Sequence, residues 1–254
     1  QAHTVIFRQL IEADSSTYTY LIGCEQTRKA ILLDPVIDTV ERDLQALKTL
    51  DLELLATLET HVHADHLSGA RRLKQRTGCD IAYPGMLNLP CADIGVQEGQ
   101  PLEVGSLSLH PLFTPGHTDH HHAYLIDTPV QQLLFTGDAL LIDACGRTDF
   151  QSGDAGQLYN SIHNKLFSMP DETLVYPGHD YSGRFVSSIA QEKSRNPRLG
   201  GGKSRDEFVA LMDGLQLPYP RKIDFAVPGN EACGECPKDI PEDFKGPCTA
   251  SDQG

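Results

Sequence analysis

Apolar and β-branched residues fall along this chain in two kinds of run. Short runs at 5–10, 17–22, 30–33 and 54–58, the first two flanked by Ser and Gly, predict strands. The third is apolar throughout and stops at Asp34-Pro35, which suits a buried strand. Between strands, Val40, Leu44, Leu47 and Leu50 make one stripe at helical spacing, with Asp38 and Thr39 as N-caps. A second helix is predicted over 67–77 and ended by Gly78, a strand over 80–84, and a hairpin from strands at 102–104 and 107–113 around Gly105-Ser106.

The pattern continues with strands at 132–136 and 174–176 and an amphipathic helix over 155–167. In that helix Leu158, Ile162 and Leu166 share a stripe, and His163, off it, is placed on the surface. Another helix is predicted over 185–193. Asn196-Pro197 and Gly200-Gly201-Gly202 then break the chain, and Ser204 with Glu207 forms a capping box ahead of Phe208, Leu211, Met212 and Leu215. From Pro218 onward the sequence is rich in proline and carries Cys233-Gly234-Glu235-Cys236.

Chemistry enters where the strands end. The fourth strand runs into Thr60-His61-Val62-His63-Ala64-Asp65-His66, which sets nitrogen and carboxylate donors where a divalent metal collects them. Alternation along an extended segment points His61 and His63 to one side, and the curl into the next helix brings Asp65 and His66 round to the same point. Three further strands end alike, at Pro115-Gly116-His117, Gly137-Asp138 and Pro177-Gly178-His179. Each signal is weak alone, but ligands gathered at strand ends are what a sheet needs to bring distant parts of a sequence to one centre. Seven donors in this spacing favour a two-metal zinc hydrolase bridged by Asp138.

Composition narrows the picture. The chain has 254 residues, enough for one large domain or two, and no apolar run approaches the ~20 residues of a membrane helix. Gln1-Ala2-His3-Thr4 shows no basic region leading into an apolar stretch, so no secretory signal is visible. A net charge of -14 with no Lys/Arg block argues against nucleic-acid and anionic-membrane partners, and an anionic substrate then needs a metal or a placed Arg. Seven scattered cysteines, Cys24, Cys79, Cys91, Cys145, Cys233, Cys236 and Cys248, are an odd count and do not read as a disulfide framework; a reducing compartment is the simpler reading.

His61, His63, Asp65, His66, His117, Asp138 and His179, borne by alternating strands and helices, resemble the ligand set of the metallo-β-lactamase superfamily. Phe7-Arg8-Gln9, Cys145-Gly146-Arg147-Thr148-Asp149-Phe150, His179-Asp180-Tyr181 and Ile223-Asp224-Phe225-Ala226-Val227-Pro228 make the chain most similar to the persulfide dioxygenases, also called sulfur dioxygenases. The resemblance implies an α/β fold, an αββα sandwich with the site at one edge, a catalytic domain over 4–230 and an extension over 231–254 best read as a disordered polar end. It implies one Fe(II) per chain on His61, His117 and Asp138, the two-histidine, one-carboxylate face of a non-haem iron oxygenase. It further implies glutathione persulfide and O₂ as substrates, sulfite and glutathione as products, and a bacterial cytoplasm or mitochondrial matrix as the setting; a homodimer is compatible with it.

Under that resemblance His63, Asp65, His66 and His179 are supporting groups or an unused second metal site, with Asp65, His66 and Asp180 orienting ligands by hydrogen bonds. Arg147 is expected to meet a glutathione carboxylate and Tyr181 the thiol end, with Thr148 and Cys145 nearby, Cys145 more as a small buried residue than a reactive one. The segment Thr118-Asp119-His120-His121-His122 departs from the superfamily pattern and is read as solvent-exposed. Cys233, Cys236 and Cys248 lack a fourth zinc ligand. Two competing readings stand beside the oxygenase: a glyoxalase II type thioester hydrolase with two metals, and a non-catalytic persulfide or metal sensor responding through Cys233 and Cys236.

Overall fold

A computed structural model describes residues 4–239, 241–242 and 246–248. The chain divides into two compact units, one of Thr4–Gly95 with Pro218 onward, the other of Val96–Leu217.

The first unit is built on a mixed sheet in the order β1-β2-β3-β4-β5-β6. Strand β2 (Thr17–Cys24) runs antiparallel to both β1 (Val5–Glu12) and β3 (Lys29–Leu33), and all eight of its residues are buried. Helix α1 (Val40–Thr49) is the crossover that lets β4 (Glu53–Leu58) lie parallel to β3. Its Val40 and Leu47 pack with Leu21, Leu32, Leu54 and Leu73. Each such buried side chain is worth about 1.5–3 kcal/mol. Helix α2 (Ala70–Thr77) returns the chain to β5 (Asp80–Pro84), parallel to β4, and β6 (Ile94–Val96) ends the sheet. Neither Asp38 nor Thr39 caps α1 through its side chain, and α2 starts three residues later than predicted, after Ser68, whose Oγ accepts from the Ala70 N–H at 3.0 Å.

The second unit carries a sheet in the order β14-β13-β10-β9-β8-β7. Strands β7 (Leu102–Val104) and β8 (Leu107–Phe113) form the predicted hairpin, followed by β9 (His122–Asp127) and β10 (Gln132–Gly137). Strand β9 went unpredicted, because it starts inside the histidine run. A small hairpin of β11 (Leu140–Leu141) and β12 (Ala144–Cys145) precedes α3 (Ala155–Ser161), which widens into a π turn over Ile162–Leu166. Strand β13 (Leu174–Pro177) runs parallel to β10, and β14 (Ser187–Ser188) leads into α4 (Ile189–Arg195), capped by Ser188. Helix α5 (Arg205–Asp213) is capped by Ser204 as predicted. Leu134, Leu158, Ile162, Leu166, Val175 and Phe208 form the core here. His163 is half-buried rather than on the surface, stacked on Tyr159 at 3.9 Å and bonded to the Leu199 carbonyl.

The chain then returns to the first unit as α6 (Ile223–Glu231), a helix with Pro228 inside it where a proline-rich tail was expected. The cysteine expectation is corrected here: Cys91 is bonded to Cys233 and Cys236 to Cys248, while Cys24, Cys79 and Cys145 are buried and in no disulfide. The first bond spans 142 residues. In the chain-entropy account a loop of that length is worth ~5 kcal/mol. Of the extension expected to be a disordered end, residues 240, 243–245 and 249–254 lie outside the described residues.

Candidate metal centre

In the first unit, β3 and β4 end side by side, so Asp34 at the end of one lies beside Thr60 at the end of the other. Asp34 is buried; its Oδ1 accepts from the Thr60 N–H and its Oδ2 from the Thr60 hydroxyl, both at 2.9 Å. The same hydroxyl stands 2.8 Å from His61 Nδ1. Because the hydroxyl proton is committed to Asp34, His61 donates Nδ1–H to it and keeps its lone pair on Nε2, the state a metal ligand requires. Read from sequence, Asp34 is only a strand stop; its position beside a parallel strand end was the available signal.

His63 serves a different purpose. Its Nε2 lies 3.0 Å from Asp34 Oδ1 and 3.3 Å from Glu59 Oε2, all three wholly buried. Burial opposes the charge on Asp34, yet the His63 charge and hydrogen bond outweigh it and hold the carboxyl down at about 2. Burial likewise opposes the charge on His63, and Asp34 overcomes it, raising the ring well above its ordinary 6.5. Burial pushes Glu59 up to about 8 against the pull of His63. The Nε2 edge of His63 is thus held between the two carboxyl groups, while its Nδ1 is buried without a hydrogen-bond partner. His66 Nδ1 is 3.0 Å from Asp65 Oδ1 and 3.3 Å from the Thr17 hydroxyl, and His63, Asp65 and His66 present ligand atoms within 4.8 Å of one another.

In the second unit three strand ends converge. After β8, Gly116 takes φ 143° and packs so tightly on α3 that a Cβ would lie 2.3 Å from that of Leu158. It delivers His117, whose Nδ1–H donates to the Arg147 carbonyl at 2.7 Å, leaving Nε2 as the lone-pair nitrogen. After β10, Gly137 turns with φ 52° to present Asp138, whose Oδ2 faces His117 Nε2 at 3.5 Å. After β13, Gly178 passes close enough that a Cβ would meet Asp138 Oδ1 at 2.8 Å, and His179 Nδ1 reaches that oxygen at 2.5 Å. A nitrogen lone pair opposed to a carboxylate oxygen is an arrangement that a cation reconciles, so these residues fit a metal.

The histidine run is buried, against the expectation of exposure: His120, His121 and His122 are all inside. His121 matters most. Its Nε2 accepts the backbone N–H of Asp138 at 3.2 Å, so its Nδ1–H donates to Thr114 Oγ1 at 2.8 Å. It thus fixes the backbone of a proposed ligand, a role the sequence reading missed. His120 pairs with Asp119 and His122 with the His120 carbonyl, and burial lowers the pKa of both.

Other predicted residues fare unevenly. Asp180 was expected to orient ligands, but its buried carboxylate closes a loop onto Arg184, from whose backbone N–H and guanidinium it accepts. Tyr181 is 79% exposed, its ring 6.0 Å from that of His179. Arg147 forms a two-pronged pair with Asp149 at 2.6 and 2.8 Å, so its charge is already met. Arg147 and Thr148 wall a cavity of about 630 Å³ with Asp154, Arg205, Met212 and Leu217. Cys145 sits in the core 3.7 Å from the Met212 sulfur, and burial pushes its thiol up, which makes it inert.

Comparison with known proteins agrees with this architecture. The metallo-β-lactamase superfamily model matches residues 13–179. The chain is 43% identical to human mitochondrial persulfide dioxygenase ETHE1, over 91% of this chain and 89% of that one. It is similar to the crystal structure of ETHE1 from Myxococcus xanthus at 53% identity and a TM-score of 0.86, covering 90% of this chain and 99% of that one. A hydroxyacylglutathione hydrolase of Rhodospirillum rubrum is more distant, 36% identical over 73% of this chain and 70% of its own. With its two mixed sheets and their helices, this α/β chain belongs to the persulfide dioxygenases of the metallo-β-lactamase superfamily.

Proposed function

We propose that the chain is a glutathione-dependent persulfide dioxygenase, converting glutathione persulfide, O₂ and water to sulfite and glutathione, with one Fe(II) held by His61, His117 and Asp138. The observation that carries this centre is that His61 and His117 are each held through Nδ1, by the Thr60 hydroxyl and the Arg147 carbonyl, so that each keeps Nε2 for a metal; His63 instead gives Nε2 to Asp34 and Glu59. Fe(II), when bound by two histidines and a carboxylate, supplies open positions where a persulfide sulfur and O₂ meet.

The chain's own residues do the rest. Thr60 and the Arg147 carbonyl hold the two imidazoles in the ligating tautomer. His121 and His179 fix Asp138 from its backbone and from Oδ1. The cavity beside Arg147 suits the body of the tripeptide. There Arg205 has no ion pair among the described residues, and it receives a carboxylate alongside Arg147. Tyr181 stands at the thiol end. The setting is a bacterial cytoplasm or, in a eukaryote, the mitochondrial matrix; among the described residues no helix is long and apolar enough to cross a membrane.

A second reading, the two-metal thioester hydrolase, draws on His63, Asp65 and His66 lying within 4.8 Å of one another. Oxygen uptake by anaerobically purified protein given glutathione persulfide, with metal content on the same sample, separates the two. Near one iron per chain with persulfide-dependent uptake supports the oxygenase. Two zinc per chain, no uptake and turnover of a lactoylglutathione thioester without oxygen would replace it with the hydrolase.

A further inference from the structure

A single side chain ties α6 to the loop that bears His61. Asn230, wholly buried on the last turn of the helix, donates both amide hydrogens, to the carbonyls of His63 at 2.9 Å and His66 at 2.8 Å. Its Oδ1 accepts from the Ser68 N–H at 2.8 Å. All three bonds fall between His63 and Ser68, so the conformation of this loop depends on where α6 ends.

What fixes that end is covalent. Three residues on, Cys233 is bonded to Cys91, in the segment between β5 and β6. Cys233 sits at φ 61°, a left-handed conformation that a residue with a side chain adopts reluctantly. Its carbonyl accepts from the Arg71 N–H at 3.0 Å, and its own N–H donates to the Asn230 carbonyl at 2.9 Å. Gly234 then passes so close to the loop that a Cβ would lie 2.1 Å from the Ser68 carbonyl oxygen. A turn that its residue type disfavours, packed against the loop, is thus tethered by one disulfide.

We infer that Asn230 is a positioning residue for the metal loop and that the Cys91–Cys233 bond is its redox latch. Closed, the latch presses Asn230 onto His63 and His66. Opened, the turn at Cys233 relaxes, Asn230 withdraws and His61 loses its fixed presentation. The inference rests on the reading that His61 is a metal ligand. A small thiol of the glutathione class is the reductant. Its sulfur attacks that of Cys91, which is half-buried where Cys233 is wholly buried, and Cys233 leaves as thiolate and takes a proton. A second thiol resolves the mixed disulfide, so two electrons pass to the protein, which gains two thiols, and the two small thiols become one disulfide.

The test is metal affinity, measured with Fe(II) against a ferrous chelator on anaerobic protein. The air-oxidised chain is compared with the same chain reduced by dithiothreitol, the reductant being removed before titration. Thiols are counted by peptide mass mapping, and amide exchange is followed across residues 61–68. Reduction is expected to weaken Fe(II) about ten-fold and to speed exchange in the loop. Cys91→Ser should copy the reduced state, while Cys248→Ser, which opens only the other disulfide, should copy the oxidised one. Asn230→Ala should weaken Fe(II) by a similar factor and make the affinity indifferent to reduction, which general destabilisation does not do.

Equal affinity in the two redox states, persistent redox dependence in Asn230→Ala, or Cys91 and Cys233 as free thiols in air-exposed protein would each overturn the latch. If Cys91→Ser does not fold, the reduced native chain decides alone. Because the readout is metal retention, the latch and the dioxygenase reading fail separately. Redox-dependent affinity without persulfide oxidation sinks only the activity, and oxidation with redox-blind affinity sinks only the latch.

Discussion

His179 Nδ1 lies 2.5 Å from Asp138 Oδ1, and this contact decides which carboxylate oxygen is left to face His117. The imidazole donates to Oδ1, the carboxylate cannot rotate, and Oδ2 is held toward His117 Nε2. Removing the donor frees the rotation. His179→Ala is therefore expected to weaken Fe(II) about 10- to 100-fold, the usual range for losing a partner that orients a ligand, while metal stoichiometry at saturation stays at one. Chelator competition with metal analysis checks it; a fall from two metals to one would mean that His179 is a ligand of a second ion.

Gly146 makes a sharper steric case. A Cβ there would sit 2.0 Å from the Asp138 carbonyl oxygen and 2.8 Å from His117 Nδ1, so even one methyl must displace the backbone of one proposed ligand or the ring of the other. Gly146→Ala is expected to cost at least ten-fold in Fe(II) affinity with a modest fall in melting temperature. Unchanged affinity would show that the turn from Cys145 to Arg147 does not set the position of His117.

Much of this site was legible because its signals are local. Four strands end in a ligand-type residue beside a small residue, and glycine, proline and apolar period are read within a few positions. His121 was not legible, because its burial depends on Thr114 and on the N–H of Asp138, partners supplied by the fold. A histidine run looks polar until both ring nitrogens are satisfied. Helix α6 was hidden by Pro228, which lies inside it where a proline ordinarily breaks a helix. The bond from Cys91 to Cys233 joins residues 142 apart, and no spacing rule reaches that far.

Arg205 has its Nε 3.3 Å from Asn160 and no ion pair among the described residues, while Arg147 in the same cavity is neutralised by Asp149. The uncompensated charge is the better carboxylate partner. Arg205→Gln should raise KM for glutathione persulfide about ten-fold with the loss concentrated there rather than in kcat, as a charge-assisted bond of ~1.5 kcal/mol predicts. Arg205→Lys should recover part of it. Steady-state oxygen uptake measures both, and an unmoved KM would leave the carboxylate to Arg147.

Asp43 has no part in the site, yet it should shape the pH dependence of stability. It lies buried on α1, with Oδ1 bonded to Arg42 and Oδ2 buried without a hydrogen-bond partner. Burial pushes its carboxyl from 3.8 up to about 6, against the opposing pull of Arg42. Between those two values the folded chain holds a proton that the unfolded chain has released. The stability contribution is therefore full below pH 3.8, declines as pH rises through the window and is lost above about 6, by up to ~3 kcal/mol. Asp43→Asn removes the ionisation and should flatten that slope. Urea unfolding at pH 5 and pH 7.5 should show the variant gaining on the native chain at the higher pH; parallel curves would mean that Arg42 already offsets the buried charge in full.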